Sequence, residues 1–239
     1  MSGGRGRGGP AYHRAVAPPV PPSTIALAAV NVGTPTVLHR DGHDEVWSGI
    51  VKSPVPPTGT LWLSLVNLSG DGQADLSVHG GPDKAVYAYP SEHLGPWSTE
   101  LDQALGDAPF GENLSTVGVT EPDVAIGDVW TWGDAVLEVC QPRWPRFKLT
   151  LHRRRPDVGP AMRRTGRTGW YLRVLEPGAV PAAGPITVAD RHPAGLSVAD
   201  AHRATGDRHL EDRDLVFSLA DHDRLADEWR QPLRDRLGR

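Results

Sequence analysis

The chain has 239 residues and a formal net charge of -4, and a chain of this length buries roughly 70% of its unfolded surface in one sizeable domain with an appendage. The acidic balance excludes recruitment of nucleic acid or membrane by overall basicity, so any anion binding must be local. The single cysteine, Cys140, excludes an intramolecular disulfide and a cysteine-rich zinc site and favours a cytoplasmic location.

Residues 1–24 are dominated by glycine and proline, which predicts a flexible or polyproline-like tail. No stretch approaches the roughly 18 apolar residues of a membrane-spanning helix, and no apolar run follows Arg5 and Arg7. The sequence therefore predicts neither a spanning helix nor a secretory signal.

From Ile25 the chain changes to short apolar runs separated by turn signals, which is typical of strands. Leu61, Leu63 and Leu65 alternate with other residues, as expected of a half-buried strand. The runs are IALAAVNVG, TLWLSLVNL, DVWTWG, AVLEVCQ and, later, GWYLRVLEPG.

One helical segment interrupts the strands, between residues 90 and 106. Apolar or aromatic residues recur there every four positions, and Ser91 is the predicted cap. Gly95 and Pro96 predict a break that divides the segment into one or two short helices.

From about residue 196 the pattern becomes helical. Ser197 and Asp200 form a predicted capping box, and Asp212 and Asp221 are predicted caps for two further helices. We therefore predict three domains or segments: the tail over 1–24, a β-rich domain over 25–192 and a three-helix extension over 193–239.

The extension is too short for an independent core, so it is expected to pack on the β-rich domain with Trp229 as its anchor. Pro232 is expected to kink or break its last helix.

The segment from His79 to Lys84 combines a glycine pair with an imidazole and an ammonium group. Gly80 and Gly81 would let the backbone approach a phosphate or carboxylate, or would simply make a tight turn. Further along, Glu112 and Asn113 place a carboxylate and an amide at a strand edge, where pairing of Glu112 with a nearby lysine or arginine is favoured over direct catalysis.

The segment 141–148 carries three cations, Arg143, Arg146 and Lys148. Two prolines prevent regular strand pairing, which predicts an irregular loop after a strand that ends near Cys140. Guanidinium groups bind oxyanions bidentately, so the loop is either an anion site or a solvated basic loop.

Three segments together, 71–94, 110–130 and 137–149, resemble a MOSC domain, named for the C-terminus of the molybdenum cofactor sulfurase, of the YiiM-like type. The segments 48–55 and 166–178 and the terminal helices are also similar to that family. The resemblance implies a mainly β (α+β) fold: a β-barrel-like domain with peripheral helices and a small three-helix appendage.

The same resemblance implies a pocket for the molybdenum cofactor. Family members with that cofactor reduce N-hydroxylated compounds with electrons from partner proteins, and sulfurase relatives transfer sulfur to the metal. An electron-transfer partner is thus expected only if molybdenum is bound.

This sequence departs from the family at the residue that matters most for that chemistry. The family loop reads Pro-Arg-x-Pro-Cys-x-Lys-Leu, and the cysteine position is Arg146 here. A guanidinium has no lone pair for a metal. Cys140 lies six residues earlier, across two prolines, and is predicted to be a small buried hydrophobe at a strand end.

We therefore predict an enzyme redirected to a non-molybdenum reaction on a small anionic metabolite with an N-oxygen or sulfur function. The alternatives are an ordinary molybdenum-dependent N-hydroxyl reductase or sulfur-transfer protein, and a non-catalytic carrier of an anionic ligand. The predicted catalytic residues are Arg146, His79, Lys84 and Glu112, and the predicted ligand-binding residues are Lys52, Gly80, Gly81, Asn113, Arg143 and Lys148. The other histidines show no metal-ligand spacing, so the sequence predicts no metal site.

Overall fold

The computed structural model describes residues 22–39, 45–74 and 81–238. The predicted N-terminal tail lies almost entirely outside these ranges, and the first strand begins at its last residue, Thr24.

Short strands dominate the part of the chain before residue 191, as the sequence predicts. Their bounds are β1 Thr24–Val32, β2 Thr36–His39, β3 Glu45–Ser48, β4 Ser53–Pro54, β5 Thr60–Leu63, β6 Val86–Pro90, β7 Leu114–Val117, β8 Val129–Trp132, β9 Ala135–Pro142, β10 Trp170–Glu176, β11 Gly178–Pro181 and β12 Ile186–Asp190.

Helices lie between and after these strands. The α-helices are α1 Leu94–Leu101, α2 Phe147–Arg153, α3 Val158–Thr165, α4 Val198–Gly206, α5 Arg213–Ala220 and α6 Asp227–Arg236, and short 3-10 helices cover Pro82–Lys84, Ser91–His93 and Glu121–Asp123. No helix within the described ranges has the length and apolar character needed to cross a membrane.

Seven strands form a closed barrel in the order β12, β8, β9, β10, β6, β7, β1. The pairs Thr24 with Thr187 and Ile25 with Ile186 close the ring between β1 and β12. The neighbours β6 and β7 run parallel, whereas the other barrel pairs are antiparallel. Closure leaves the barrel without exposed edges, which stabilises short strands against misassociation.

The barrel interior is filled by large apolar side chains, among them Trp130 and Trp170, whose ring centroids lie 6.0 Å apart. Every residue of β6 is buried, because its two faces pack against different clusters. Val86 and Ala88 belong to the main core, whereas Tyr87 and Tyr89 belong to a second cluster with Trp97 and Phe110. The second cluster supports the cleft described below.

The three C-terminal helices form as predicted and share the main core with the barrel. The capping box of Ser197 and Asp200 is present, and Asp212 caps α5 by accepting from the Leu215 amide. Trp229 is buried in that shared core, which confirms its role as the anchor. The exact boundaries between tail, β-rich domain and extension stay a prediction.

Several local predictions were wrong. Asp221 ends α5 rather than starting the next helix, which begins at Asp227. Ser91 is not a cap: it is the first residue of a 3-10 helix whose N-cap position is occupied by Pro90. Pro96 does not interrupt α1, because it lies in the first turn, where its missing N–H has no intrahelical partner.

Two proline predictions also require correction. α6 continues through Pro232, so the helix is not broken there, and the kink stays a prediction. Trp229 and Leu233 are buried on either side of the proline, and burial of that size offsets the roughly 3 kcal/mol that an internal proline costs. β9 reaches Pro142, which pairs with Trp170, so the strand ends two residues later than predicted.

The predicted strand TLWLSLVNL is also too long. It is a strand only to Leu63, and the chain then turns.

Candidate functional site

An open cleft lies on one side of the barrel, between segments that are distant in the sequence. Its space is about 910 Å³, including the part that is open to solvent, which is the size of a small-molecule site. The walls come from segments 48–52, 71–74, 110–113 and 143–149, and from Lys84, Tyr87, Tyr171 and Glu228.

Six of the predicted site residues line this cleft: Lys52, Lys84, Asn113, Arg143, Arg146 and Lys148. Glu112 and Gly81 are described but do not line it. Gly81 instead starts the 3-10 helix that carries Lys84, at a φ of 101° that favours glycine. His79 and Gly80 lie outside the described residues.

One wall is a closed polar network around Asp71. This buried carboxylate pairs with the Lys52 ammonium group, accepts from the Gly33 amide at 2.9 Å and accepts from Asn113 Nδ2 at 2.9 Å. Asn113 also accepts from the Tyr87 amide at 3.1 Å. Burial lowers the pKa of Lys52, and the Asp71 charge opposes that shift. This wall is satisfied by its own members.

Close backbone packing holds this wall in place. Gly111 has a φ of 79°, and a Cβ atom there would lie 2.6 Å from Ile50 Cγ1. Only glycine therefore lets segment 110–113 approach segment 48–52.

A second wall carries Arg143, which is only 8% exposed. Its guanidinium lies over the Tyr87 ring, 4.9 Å from the centroid. Its Nη1 atom is buried and has no hydrogen-bond partner among the described residues. A buried, unpaired charged donor is costly, so this atom points to a ligand that supplies an acceptor.

Arg146 and Lys148 extend the same wall. Arg146 is the N-cap residue of α2 and is exposed, and Lys148 lies in the first turn of that helix and is half-buried. Between Arg143 and Arg146, Trp144 packs on Trp229 with ring centroids 5.9 Å apart. This contact holds the cationic segment against α6.

At the edge of the cleft, Lys84 Nζ lies 2.6 Å from Glu228 Oε2. The partner comes from α6, so the C-terminal extension supplies part of the cleft. Among the described residues, the cleft thus contains five cationic side chains and two carboxylates, Asp71 and Glu228. Its electrostatic potential favours anions.

Glu112 lies behind the first wall. Its Oε2 accepts from the Phe110 amide at 3.0 Å, and Oε1 lies 3.5 Å from Ser115 Oγ. Burial raises the pKa of Glu112 to about 7. Within the described ranges no lysine or arginine pairs directly with it, so the predicted ion pair is replaced by hydrogen bonds.

The comparisons with known proteins agree with the fold. The MOSC-domain profile matches residues 75–190. YflK of Bacillus subtilis is 38% identical over 217 residues, which cover 89% of this chain and 96% of YflK. The chain belongs to the MOSC-domain family.

Two further MOSC relatives extend the match. YiiM of Escherichia coli is 39% identical over 192 residues, covering 79% of this chain and 84% of YiiM. The crystal structure of YiiM from Geobacillus stearothermophilus superposes with a TM-score of 0.71 at 30% identity, covering 89% of this chain and 99% of that protein. The predicted fold class is confirmed.

The described lining of the cleft of this MOSC protein has no thiolate that could ligate the metal of a molybdenum cofactor, so the lining does not fit that metal. Cys140, the chain's single cysteine, is buried outside the cleft, with Sγ 3.3 Å from the Asp83 carbonyl and 3.4 Å from the Tyr171 carbonyl. Burial raises the pKa of its thiol, which disfavours the thiolate. The cationic lining does fit an anionic group.

Four of the cleft residues that sequence reasoning missed contribute charge or aromatic surface: Asp71, Tyr87, Tyr171 and Glu228. Asp71 and Tyr87 lie in the quoted segment 71–94, so a search for a carboxylate partner of Lys52 could have found Asp71. Tyr171 and Glu228 carry no local signal, because only the packing of β10 and α6 brings them to the cleft.

The histidine prediction was also incomplete. His192 and His222 lie with ring centroids 4.5 Å apart, and Asp223 completes a group of potential metal ligands. Their separation of thirty residues hid this arrangement from a search by spacing.

Proposed function

We propose that this MOSC-domain protein is an enzyme that binds a small anionic metabolite in the cleft and transforms it without molybdenum. The observation that carries the proposal is the unpaired, buried Nη1 of Arg143 in a cleft lined by cations and by no thiol. The substrate class is a small acid with an N-oxygen or sulfur function, by analogy with the chemistry of the family.

Binding is the first part of the proposal. A carboxylate or phosphate oxygen that reaches Nη1 of Arg143 would satisfy the buried donor, and charge-assisted hydrogen bonds of this kind contribute about 1.5–3 kcal/mol. Lys148 and Arg146 lie further along the same wall and would hold the remaining oxygens. Tyr171 and Trp144 supply aromatic surface for the body of the ligand.

Arg146 has a different role from the cysteine that it replaces. It cannot ligate a metal, but it can stabilise negative charge that develops on the substrate during the reaction. Of the candidates for proton transfer, Lys84 lines the cleft, whereas Glu112 lies behind the wall. Lys84 is therefore the candidate that the geometry favours, with Glu228 holding its ammonium group in place.

The first experiment separates this proposal from molybdenum chemistry. We expect elemental analysis of the purified protein to find no stoichiometric molybdenum, and we expect Arg146→Cys to gain molybdenum when it is produced with abundant cofactor. Stoichiometric molybdenum in the unaltered protein, together with reduction of N-hydroxylated compounds, would overturn the proposal.

The second experiment tests binding and turnover. We expect inorganic phosphate to bind by calorimetry, and Arg146→Ala to weaken it about tenfold, equivalent to about 1.4 kcal/mol. Arg208→Ala, at an exposed arginine outside the cleft, is the matched control.

A panel of N-oxygenated and sulfur-containing carboxylic acids then tests catalysis. Turnover that Arg146→Ala abolishes and Arg208→Ala retains supports the enzyme. Binding of panel members without turnover would instead identify a carrier and would contradict the catalytic part of the proposal.

A further inference from the structure

Two histidines and an aspartate meet away from the cleft, at the junction of the barrel and the C-terminal helices. His192 follows β12, and His222 and Asp223 form the turn between α5 and α6. One potential ligand atom from each residue lies within 4.8 Å of the others. The barrel and the extension therefore contribute jointly to one group.

His222 is the buried member of this group, with an exposed fraction of 5%. Its Nδ1 accepts from the Arg224 amide at 3.3 Å. Its Nε2 is buried without a partner among the described residues. Leaving such an atom unsatisfied is energetically unfavourable, and a ligand at Nε2 would remove that cost.

Burial of His222 favours the neutral imidazole, which is the form that binds metals. Burial, and then the neighbouring His192, lower the pKa of His222 to about 4. Asp223 supplies a carboxylate, and its Oδ1 lies 4.0 Å from His192 Nε2. Arg224 contacts the other oxygen, Oδ2, at 3.3 Å, so Oδ1 remains for a ligand.

We propose that His192, His222 and Asp223 form a site for a zinc-type divalent ion that joins the α5–α6 turn to the end of β12. Two imidazole nitrogens and one carboxylate oxygen, with water as the fourth ligand, are a usual set for such an ion.

Small movements complete this geometry. Ligand atoms in a tetrahedral site lie about 3.3 Å apart, given metal–ligand distances of about 2.0–2.1 Å. The Asp223 side chain is 72% exposed and that of His192 is 20% exposed, so both can approach His222 by a change of rotamer. Binding at Nε2 leaves the ring proton of His222 on Nδ1, so the long contact from the Arg224 amide must lengthen.

The position of the site predicts a consequence for the cleft. The turn that carries His222 and Asp223 leads directly into α6, whose Glu228 and Trp229 contact Lys84 and Trp144. A bound ion would therefore order the start of α6 and stabilise the cleft wall.

The test uses the untagged full chain, freed of metal by a chelator. We expect one Zn²⁺ to bind per chain by calorimetry, Co²⁺ to give the visible absorption of a tetrahedral site, and Zn²⁺ to raise the Tm. Mg²⁺ at the same concentration should neither bind at this site nor raise the Tm, because it prefers oxygen ligands.

Variants at Asp223 and at the half-buried His192 avoid the risk of misfolding at the buried His222. Asp223→Asn and His192→Gln should each weaken Zn²⁺ binding at least tenfold while leaving the metal-free Tm almost unchanged. His209→Gln, at an exposed histidine elsewhere on the C-terminal extension, should bind as the unaltered protein does. Absence of 1:1 binding, or undiminished binding in the double variant of His192 and Asp223, would overturn the site.

Discussion

The two walls of the cleft use charge in opposite ways. Both oxygens of Asp71 have partners within the first wall, whereas in the second wall Arg143 keeps a buried donor without a partner among the described residues. A hydrogen-bond network whose members are all paired rigidifies a structure, whereas a buried donor without a partner indicates a place where a ligand can bind. The comparison teaches that cations in one cleft can serve two purposes: Lys52 contributes to the scaffold, and Arg143 contributes to binding.

Removal of Asp71 should produce the largest loss of stability. Asp71→Ala leaves the buried Lys52 ammonium unpaired, and breaking a buried pair in this way costs about 3–5 kcal/mol. Urea unfolding measures the change. The double variant Lys52→Met with Asp71→Asn should recover most of the loss.

The control for Asp71 is the exposed pair of Arg155 and Asp157, where Asp157→Ala should change stability little. Equal losses at the two aspartates would contradict the assignment of Asp71 to the scaffold.

Glu112, behind the paired wall, should make stability depend on pH. The fold raises its pKa from 4.5 to about 7, so the folded state holds a proton that the unfolded chain releases. The resulting stabilisation is complete below about pH 4.5 and is lost as pH rises to about 7, with a total on the order of 3 kcal/mol.

Comparison with Glu112→Gln isolates this contribution, since glutamine mimics the protonated carboxyl group. The unaltered protein should lose stability relative to the variant between pH 4.5 and pH 7. Glu176→Gln, at an exposed carboxylate, should show no such divergence, and parallel pH profiles for all three proteins would refute the shift.

Replacement of Arg143 should weaken ligand binding and hardly change stability, whereas replacement of Asp71 should lower stability. Arg143→Met removes a buried unpaired donor and keeps an apolar stem over Tyr87, so stability should change by less than about 1 kcal/mol. Phosphate binding should weaken at least tenfold, which is about 1.4 kcal/mol. Calorimetry and urea unfolding on the same sample give both values. A large loss of stability with unchanged binding would place Arg143 in the scaffold instead.

Glu228 should have the smallest effect. Its ion pair with Lys84 is partly exposed, so Glu228→Gln should cost less than about 1 kcal/mol in stability. Removal of one carboxylate makes the cleft more positive, and phosphate should bind about two- to fivefold more tightly at low salt. The gain should disappear at high salt, and a gain that persists there would argue against an electrostatic cause.

Local patterns were sufficient for much of the fold. The short apolar runs that become β1, β8 and β9 and the caps at Ser197 and Asp212 depend on neighbours within a few residues, and the structure has strands and caps where the sequence predicts them. Local patterns misjudged Pro96 and Pro232, because the effect of a proline depends on its place in the turn and on the burial of its neighbours.

The positive charges of Arg143, Arg146 and Lys148 were readable from the chain, because residue type sets charge. The predicted irregular backbone over 141–148 is found only between β9 and α2, at residues 143–146. Which of those cations stays unpaired was decided by tertiary structure alone. Tertiary packing of the loops brings Asp71 to Lys52 and Asn113, and packing of α6 brings Glu228 to Lys84 across 144 positions. The same packing joins His192 to His222, since contacts between distant residues follow from the shared core and leave no trace in local spacing.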